Sequence, residues 1–557
     1  MTADKLHLVL CWHMHQPQYR DALDGRWHRP WTWLHGIKDY ADMAAHLETV
    51  PGARAVVNFS TILLEQLADY AERIERWKRE GTPIGDSLLD ALGGSVPYAD
   101  LADTEKLKLA QACLHANRVH MISAFPAYSA LAVRTKLAIQ QAAPPDDESF
   151  RDLLVWYHLA WTGESLRREF PMLRGMLHKA SGFTDEDGKR LLALIGEVLA
   201  GLVPRYRELA DNGCVELSLT PHAHPILPLL LDMESGRDAR PDIALPDCRY
   251  PGGEERCRWH IERALELYAK HFSVRPRGCW PSEGGVSEAV LPLLCDFGFE
   301  WTATGTNVLR NSIGKAAEHD HFQRWHRSGG NRRIACFFRD DELSDRIGFQ
   351  YSNWGAEDAV NDLIARLENV RRDWQGNGRP VVSIIMDGEN AWEHFPYNAW
   401  FFLQHLYSRL VVHPHIDLTT FSALLDDGWD AGELPELVAG SWVYGDFSVW
   451  VGDPQKNRAW ELLCEAKKTA DRVLERKQGS RAAILEQLGV CEASDWFWWL
   501  GGANTAEDST AFDSLFREHL AALYRMLGET PPAEVFVAGD ISAAATDAEG
   551  AMRRANR

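Results

Sequence analysis

The chain has no CxxC pair, no Gly-rich phosphate loop and no basic excess, and each lack removes a class of protein. Its 557 residues carry 59 Lys and Arg against 80 Asp and Glu, a net charge of −21 at pH 7. A nucleic-acid partner is not expected, because such binders need a basic stripe that displaces counterions from phosphates. No GxGxxG or P-loop follows any β-type run, which argues against dinucleotide and NTP chemistry. The cysteines at 11, 113, 214, 248, 257, 279, 295, 336, 464 and 491 are scattered, unlike a disulfide framework or a zinc knuckle. They read as reduced thiols of a cytoplasmic protein. No apolar run approaches the ~18 residues that span a bilayer, so no membrane partner is expected. The opening MTADKLHLVLCWHMH shows no small-residue cleavage site and is not expected to act as a secretory signal. The calcium-loop pattern D-x-[DN]-x-[DN]-G is missing too, and neither a metal nor a cofactor is expected.

What is abundant is tryptophan. The 22 indoles exceed what a core requires, and Trp offers a flat apolar face with a polar edge that suits sugar rings as well as protein interfaces. Short β-type runs punctuate the first part of the chain: Leu6 to Trp12, Ala53 to Phe59, Cys214 to Leu219, Arg277 to Trp280, Glu300 to Ala303, Ile334 to Phe338 and Val381 to Met386. Helical patterns lie between them, among them Ile62 to Arg79, Thr104 to Ser123, Asp185 to Asp211, Glu254 to His271, Ser287 to Phe297 and Ala356 to Trp374. Alternation of this kind predicts an α/β fold with a parallel sheet, and seven strands favour closure into a barrel. The stretch around 61–213 is too long for one crossover and reads as a helical insertion. After Leu425 the character changes. Asn457 to Glu475, Arg481 to Leu488 and Ser509 to Leu527 read as amphipathic helices around a Trp-rich turn, SDWFWWLGG, with a frayed tail from Glu529. Residues 1–425 are thus expected to form the barrel, and 426–557 a C-terminal helical bundle that contributes to its cleft.

Catalytic groups of such barrels sit where the strands end. The first run ends in WHMHQP, with His13 and His15 on one side of an extended segment. The third ends in TPHAHP, with His222 and His224 at the same spacing. The fourth leads into CWPSEGG and Glu283, and the seventh stops at Asp387, followed by Glu389. Taken singly, each is ordinary core or turn chemistry. Four of seven strand ends delivering imidazoles or carboxylates to one rim is not. Two chemistries use such a set: two carboxylates flanking a glycosidic bond, or a divalent metal held by the histidines and acids to activate water. Sequence spacing does not separate them.

Five segments appear in a known order: HMHQP (13–17), VELSLTPHAHPILPL (215–229), CWPSEGG (279–285), MDGENAW (386–392) and SDWFWW (494–499). With PWTWLHGIKDYADMA (30–44), LVWYHLAW (154–161) and WVYGDFSVWVGDPQKNRAW (442–460) between them, the chain resembles glycoside hydrolase family 57, in its amylopullulanase and α-amylase-like branch. The resemblance implies an incomplete (β/α)7 barrel followed by a helical domain, and a retaining enzyme on α-glucans. It places the nucleophile on Glu283 and the general acid/base on Asp387, with His13, His15 and His224 as groups that hydrogen-bond sugar hydroxyls. The fifth motif puts Asp495 and Trp498 in the same cleft. Glu389, Trp392, Trp280 and Trp450 complete the expected substrate-binding set. Ala223 departs from relatives that often carry an aromatic there.

For these roles Asp387 must hold a proton near neutral pH, which an apolar strand, Trp392 and the repulsion of Glu389 would favour, while Glu283 stays ionised. The leading expectation is hydrolysis of α-1,4-glucans, with α-1,6 links as a further option. A 4-α-glucanotransferase or branching enzyme is the close alternative, because the covalent intermediate accepts water or a sugar hydroxyl. A metal-dependent hydrolase using His13, His15, His224 and Asp387, and a non-catalytic glucan-binding protein, are the readings from other classes.

Overall fold

The computed structural model describes residues 5–314, 319–330, 332–428, 431–476, 481–501, 504 and 506–538. Its strands are β1 (Leu6–Met14), β2 (Ala55–Ser60), β3 (Val215–Thr220), β4 (Gly278–Cys279), β5 (Trp301–Gly305), β6 (Trp325–Gly329), β7 (Arg332–Arg339), β8 (Val381–Asp387), β9 (Ile416–Thr419) and β10 (Gly432–Glu433). Seven of them, β1, β2, β3, β4, β5, β7 and β8, pair in parallel. The ring closes where β7 meets β8 at a single register pair, Arg339 with Ser383. The protein is therefore a (β/α)7 barrel, thinly closed on one side. The remaining strands lie outside the ring: β6 runs antiparallel to β7, β9 adds to β1, and β10 extends β6. WHRSG carries little apolar alternation and IDLT alternates over only four residues, which is why β6 and β9 escape a reading by pattern.

Period-two alternation builds the interior. Along β1, Leu8, Leu10 and Trp12 pack into the large cluster shared with the surrounding helices. Val9 and Cys11 instead join a second cluster with Val56, Trp280, Trp301, Ala335, Phe337 and Ile385. Phe421, just past β9, packs its ring 4.5 Å from that of Trp301 and 4.4 Å from that of Phe337, filling the same interior. Its truncation to Ala would cost about 3–5 kcal/mol. Gly278 is required here for space: a Cβ there would lie 1.7 Å from the Trp301 ring.

Between β2 and β3 the chain is helical, from Thr61–Glu80 through Asp147–Trp161 to Asp185–Asp211. The pattern over Thr104 to Ser123 is not one helix. It breaks after Asp103–Ala112, and Asn117 accepts hydrogen bonds from the Val119 and His120 N–H groups to start a fresh turn, Arg118–Ile122. Beyond the barrel lie helices Pro454–Leu474, Arg481–Cys491 and Ala506–Leu527. SDWFWW is not a turn but a short helix, Ser494–Trp499, in which Trp496 and Phe497 are fully buried. The tail from residue 539 lies outside the described residues; before it, Ala533–Phe536 forms a 3-10 turn with Val535 buried. Among the described residues no helix is long and apolar enough to cross a membrane.

Candidate active site

On four of the barrel strands the inward-facing series turns polar at its C-terminal end. On β1, Val9 and Cys11 are followed by His13. On β8, Val381 and Ile385 are followed by Asp387. On β2 and β7 the inward series end in Asn58 and Arg339. Register then aligns them, since His13 pairs with Asn58 on one side and with Asp387 on the other. Residues in register share a face of the sheet, so these groups enter the mouth of the barrel together.

Glu283 reaches the same place by strain. It sits in the left-handed region, φ 59° and ψ 21°, a conformation that costs a non-glycine residue roughly 1–2 kcal/mol. Surrounding hydrogen bonds fix it: Gly284 N to Pro281 O (2.8 Å) and Trp442 N to Glu283 O (3.1 Å). A Cβ on Gly284 would meet the Trp280 ring at 2.9 Å, so the turn needs its glycine. The carboxylate receives hydrogen bonds from the Trp442 indole N–H at Oε2 (3.1 Å) and the Ser494 hydroxyl at Oε1 (3.0 Å).

A chain of contacts runs inward from that carboxyl. Ser494 Oγ lies 2.8 Å from His224 Nδ1, His224 Nε2 lies 3.0 Å from His13 Nε2, and His13 Nδ1 lies 2.6 Å from Asn58 Oδ1. With the bond to Glu283 these are four contacts, each needing one hydrogen. Two neutral imidazoles and one hydroxyl supply three. The fourth hydrogen must sit on Glu283, or on the imidazole pair when Glu283 is ionised. Burial, then the neighbouring His15, pushes His13 down to about 3 and His224 well below its ordinary value, so the imidazoles resist the charge. Consistently, burial and the charges of Asp495 and Asp387 push Glu283 up to about 8. Glu283, expected to be ionised for its role, is thus pushed toward its neutral form by these surroundings.

Asp387 is also raised, by burial, against Asn390, which donates to its Oδ2 (2.8 Å), and against His15 and Arg339. Glu389 and Asp387 repel each other, and the effect falls on Glu389. Glu389 is itself held well above its ordinary range, by burial first and by Asp387 and Asp39 next. It accepts from Gln16 at Oε1 (3.2 Å), while its buried Oε2 has no partner. His15 bridges Ser60 (2.8 Å) and Asp495 (3.0 Å), bringing the fifth motif onto the first.

The tryptophans divide. Trp280, Trp392 and Trp450 are buried to within 1% of full exclusion. Trp280 packs edge-on to Trp442 (5.3 Å), Trp392 against Trp12 (5.7 Å), and Trp450 against Trp498 (5.8 Å). They shape the site from behind rather than offering an open face. Trp442 is partly exposed beside Glu283 and was not singled out by pattern, although it opens the stretch WVYGDFSVW. Ser494 and Arg339 were missed as well. Arg339 stands at a strand end, fixed by Asp341 (2.8 Å) and Asp345 (2.9 Å), with its guanidinium 5.6 Å from the Trp442 ring centre. His222 does not join the cleft. It bonds Thr61 (3.0 Å) and Glu486 (3.0 Å), in a cluster with Glu65 that Arg263 neutralises.

The metal reading finds a poor ligand set. His15, His224 and Asp495 lie within 4.8 Å of one another. Yet both nitrogens of His13, His15 and His224 are engaged by protein groups. The His15 and His224 rings stack at 3.8 Å and 14°, so their lone pairs run side by side instead of converging on one ion.

A (β/α) barrel whose mouth gathers acids, imidazoles and a partly exposed indole defines a carbohydrate-active enzyme. The family profile described as Glycosyl hydrolase family 57 matches residues 9–433, and the chain belongs to that family. Comparison with curated protein sequences returns no match. Among solved structures, the fold is similar to the GH57-type branching enzyme of Pyrococcus horikoshii, with 17% identity, TM-score 0.59, and coverage of 95% of this chain and 93% of that one. It is also similar to a GH57 branching enzyme of Thermococcus kodakaraensis (16%, 0.57, 94% and 90%). The α-amylase AmyC of Thermotoga maritima follows (13%, 0.56, 96% and 96%).

Proposed function

We propose that the chain is a retaining enzyme of α-1,4-glucans, with Glu283 as nucleophile and Asp387 as general acid/base. The observation that carries this reading is the pair itself: two partly buried carboxyls brought to one barrel mouth, close enough that Asp387 raises Glu283. A retaining displacement needs one carboxyl protonated and one ionised. In the competent state Asp387 gives its proton to the departing glycosidic oxygen while Glu283 attacks the anomeric carbon. In that state the proton resides on Asp387, and Glu283 is an anion that accepts from Ser494 and Trp442. Trp442 and Ser494 orient the attacking carboxylate. Asp387, left as carboxylate, then takes the proton of the acceptor that frees Glu283.

Water as acceptor gives hydrolysis; a sugar hydroxyl gives chain transfer. Hydrolysis is the leading assignment, and transfer, including branching, follows from the same covalent intermediate. Residues 1–425 form the catalytic barrel and 426–557 the helical domain that supplies Ser494 and Asp495. The free cysteines support a cytoplasmic location.

The test is chromatography of products from maltoheptaose, for the wild type and Glu283→Gln, with EDTA present. Shorter oligosaccharides lost on substitution support hydrolysis, and products longer than the substrate assign transfer. Full activity of Glu283→Gln, or inhibition by EDTA, sinks the two-carboxylate assignment.

A further inference from the structure

The loop 244–252, which leads from the barrel into helix Gly253–His271, lies along helix Pro454–Leu474. Three contacts fix it there. Asn457 Nδ2 donates to Ala244 O (2.9 Å), Cys464 Sγ lies 2.7 Å from Cys248 Sγ, and Gly252 stands beside the Lys467 ammonium, which a Cβ on the glycine would approach to 3.4 Å. Asn457, Cys464 and Lys467 are seven and three residues apart, so they share one helix face. The sulfurs are thus held together by contacts on both sides of them. Cys248 is half-buried and reachable, whereas Cys464 is buried.

We propose that Cys248 and Cys464 are a redox-active pair that a peroxide converts to a reversible disulfide, stapling the barrel loop to the helical segment. The Cys248 thiolate attacks one peroxide oxygen, the O–O bond breaks, and water leaves, giving a sulfenic acid. The Cys464 sulfur then attacks the Cys248 sulfur and the hydroxyl departs with the Cys464 proton as a second water. Two thiols and one hydrogen peroxide become one disulfide and two waters. The contact with Cys464 holds the Cys248 thiol below its ordinary value against burial and the charge of Glu461, while Lys468 and Glu465 act in opposite directions. Cys464 is raised by the same contact and by burial. Exposure makes Cys248 the thiolate that meets peroxide and the buried Cys464 the resolving thiol. Cys214, also half-buried, has no sulfur hydrogen-bonded to it among the described contacts and serves as an internal control.

The bond would close a loop of 216 residues and so remove much freedom from the unfolded chain. It would also tighten the route to the cleft. Tyr250, at the end of the loop, hydrogen-bonds Glu492, two residues before Ser494.

The experiment uses the full chain, reduced, then treated with a few equivalents of hydrogen peroxide, quenched and denatured for thiol counting and non-reducing peptide mapping. The expected result is two thiols fewer than the ten of the reduced chain. The Cys248 and Cys464 peptides should be linked, and dithiothreitol should restore both thiols. The melting midpoint should rise by a few degrees on oxidation and fall back on reduction. Cys464→Ser should give a sulfenic acid at Cys248, trapped by a dicarbonyl reagent, and no rise in midpoint. An unchanged thiol count, a Cys248 sulfinic acid with Cys464 still free, or loss of two thiols in Cys464→Ser would overturn the proposal.

Discussion

Glu283→Gln should stabilise the protein, and increasingly so as the pH rises. The folded protein holds this carboxyl at about 8 against an ordinary 4.5, because burial and the charges of Asp495 and Asp387 disfavour the anion. Between those values the folded form binds more protons than the unfolded chain, so wild-type stability falls as pH climbs. At 1.36 kcal/mol per pH unit, the cost of the ionisable group is about 3 kcal/mol at pH 7 and levels off near 5 kcal/mol above pH 8. Below pH 4.5 it vanishes. Glutamine keeps an acceptor for Trp442 and Ser494 and cannot ionise, so any change in packing it brings is independent of pH. Urea unfolding of both proteins at pH 5, 7 and 9 would therefore show a gap that widens with pH and then saturates. Because Glu283 feels the charges of Asp495 and Asp387, the widening reports on its acidic surroundings and not on Glu283 alone. A gap that stays flat, or closes between pH 5 and 9, would refute the argument that Glu283 is forced toward its neutral form.

Three further substitutions probe separate parts of the site. Asp387→Asn should lower turnover of maltooligosaccharides by about 10²–10⁴-fold yet spare the first step on aryl glycosides whose leaving group needs no proton; equal losses on both would deny it the acid role. Ser494→Ala removes a hydrogen bond that lowers the Glu283 pKa, worth roughly 1.5–3 kcal/mol to a charged acceptor. The acid limb of kcat/KM should then move up by about 1–2 pH units, with recovery in Ser494→Thr, and an unmoved limb would show that Ser494 is only structural. Glu492→Gln strands the buried Arg256, which now forms three hydrogen bonds with the carboxylate at 2.7, 2.8 and 3.1 Å, beside His260 at 2.7 Å. Unfolding free energy should drop by about 3–5 kcal/mol. Burial opposes the Glu492 anion, but Arg256 and His260 outweigh it and bring the group to about 2. The wild type should therefore keep this stabilisation above pH 4.5 and lose it as pH falls toward 2, and a melt of Glu492→Gln identical to wild type would refute it.

The strands were most legible where burial on both faces writes a nearly continuous apolar run, as in LVLCW of β1 and SIIM of β8, and less so where β3 (VELSLT) and β5 (WTATG) alternate with polar residues. Their polar ends were legible for the same reason: an acid or imidazole directly after such a run stands out, as His13 and Asp387 do. What the sequence withholds is whatever depends on distant residues meeting. Trp442 and Ser494 reach Glu283 across 159 and 211 positions, and nothing local to either marks it as a partner of a carboxylate. The upward push on Glu283 is hidden on the same account, since it comes from burial and from Asp495, which arrives from the far end of the chain. The tryptophans show the reverse error. Indoles near a motif look like sugar platforms, yet Trp280, Trp392 and Trp450 are enclosed, and each was drawn to its position by packing.

That enclosure bears on how the site works. Glu283 is held in a left-handed turn by Trp280 behind Gly284 and by the Trp442 backbone, so the strain of its conformation is balanced by the packing of two indoles. The partner that gives Ser494 to the carboxylate is a six-residue helix that the buried Glu492–Arg256–His260 cluster ties to the barrel from two residues away. Nucleophile, proton store and helical segment are one mechanical unit. A substitution at Glu492 that left the fold intact would therefore shift the pH profile in the same direction as Ser494→Ala, without touching any group in the cleft.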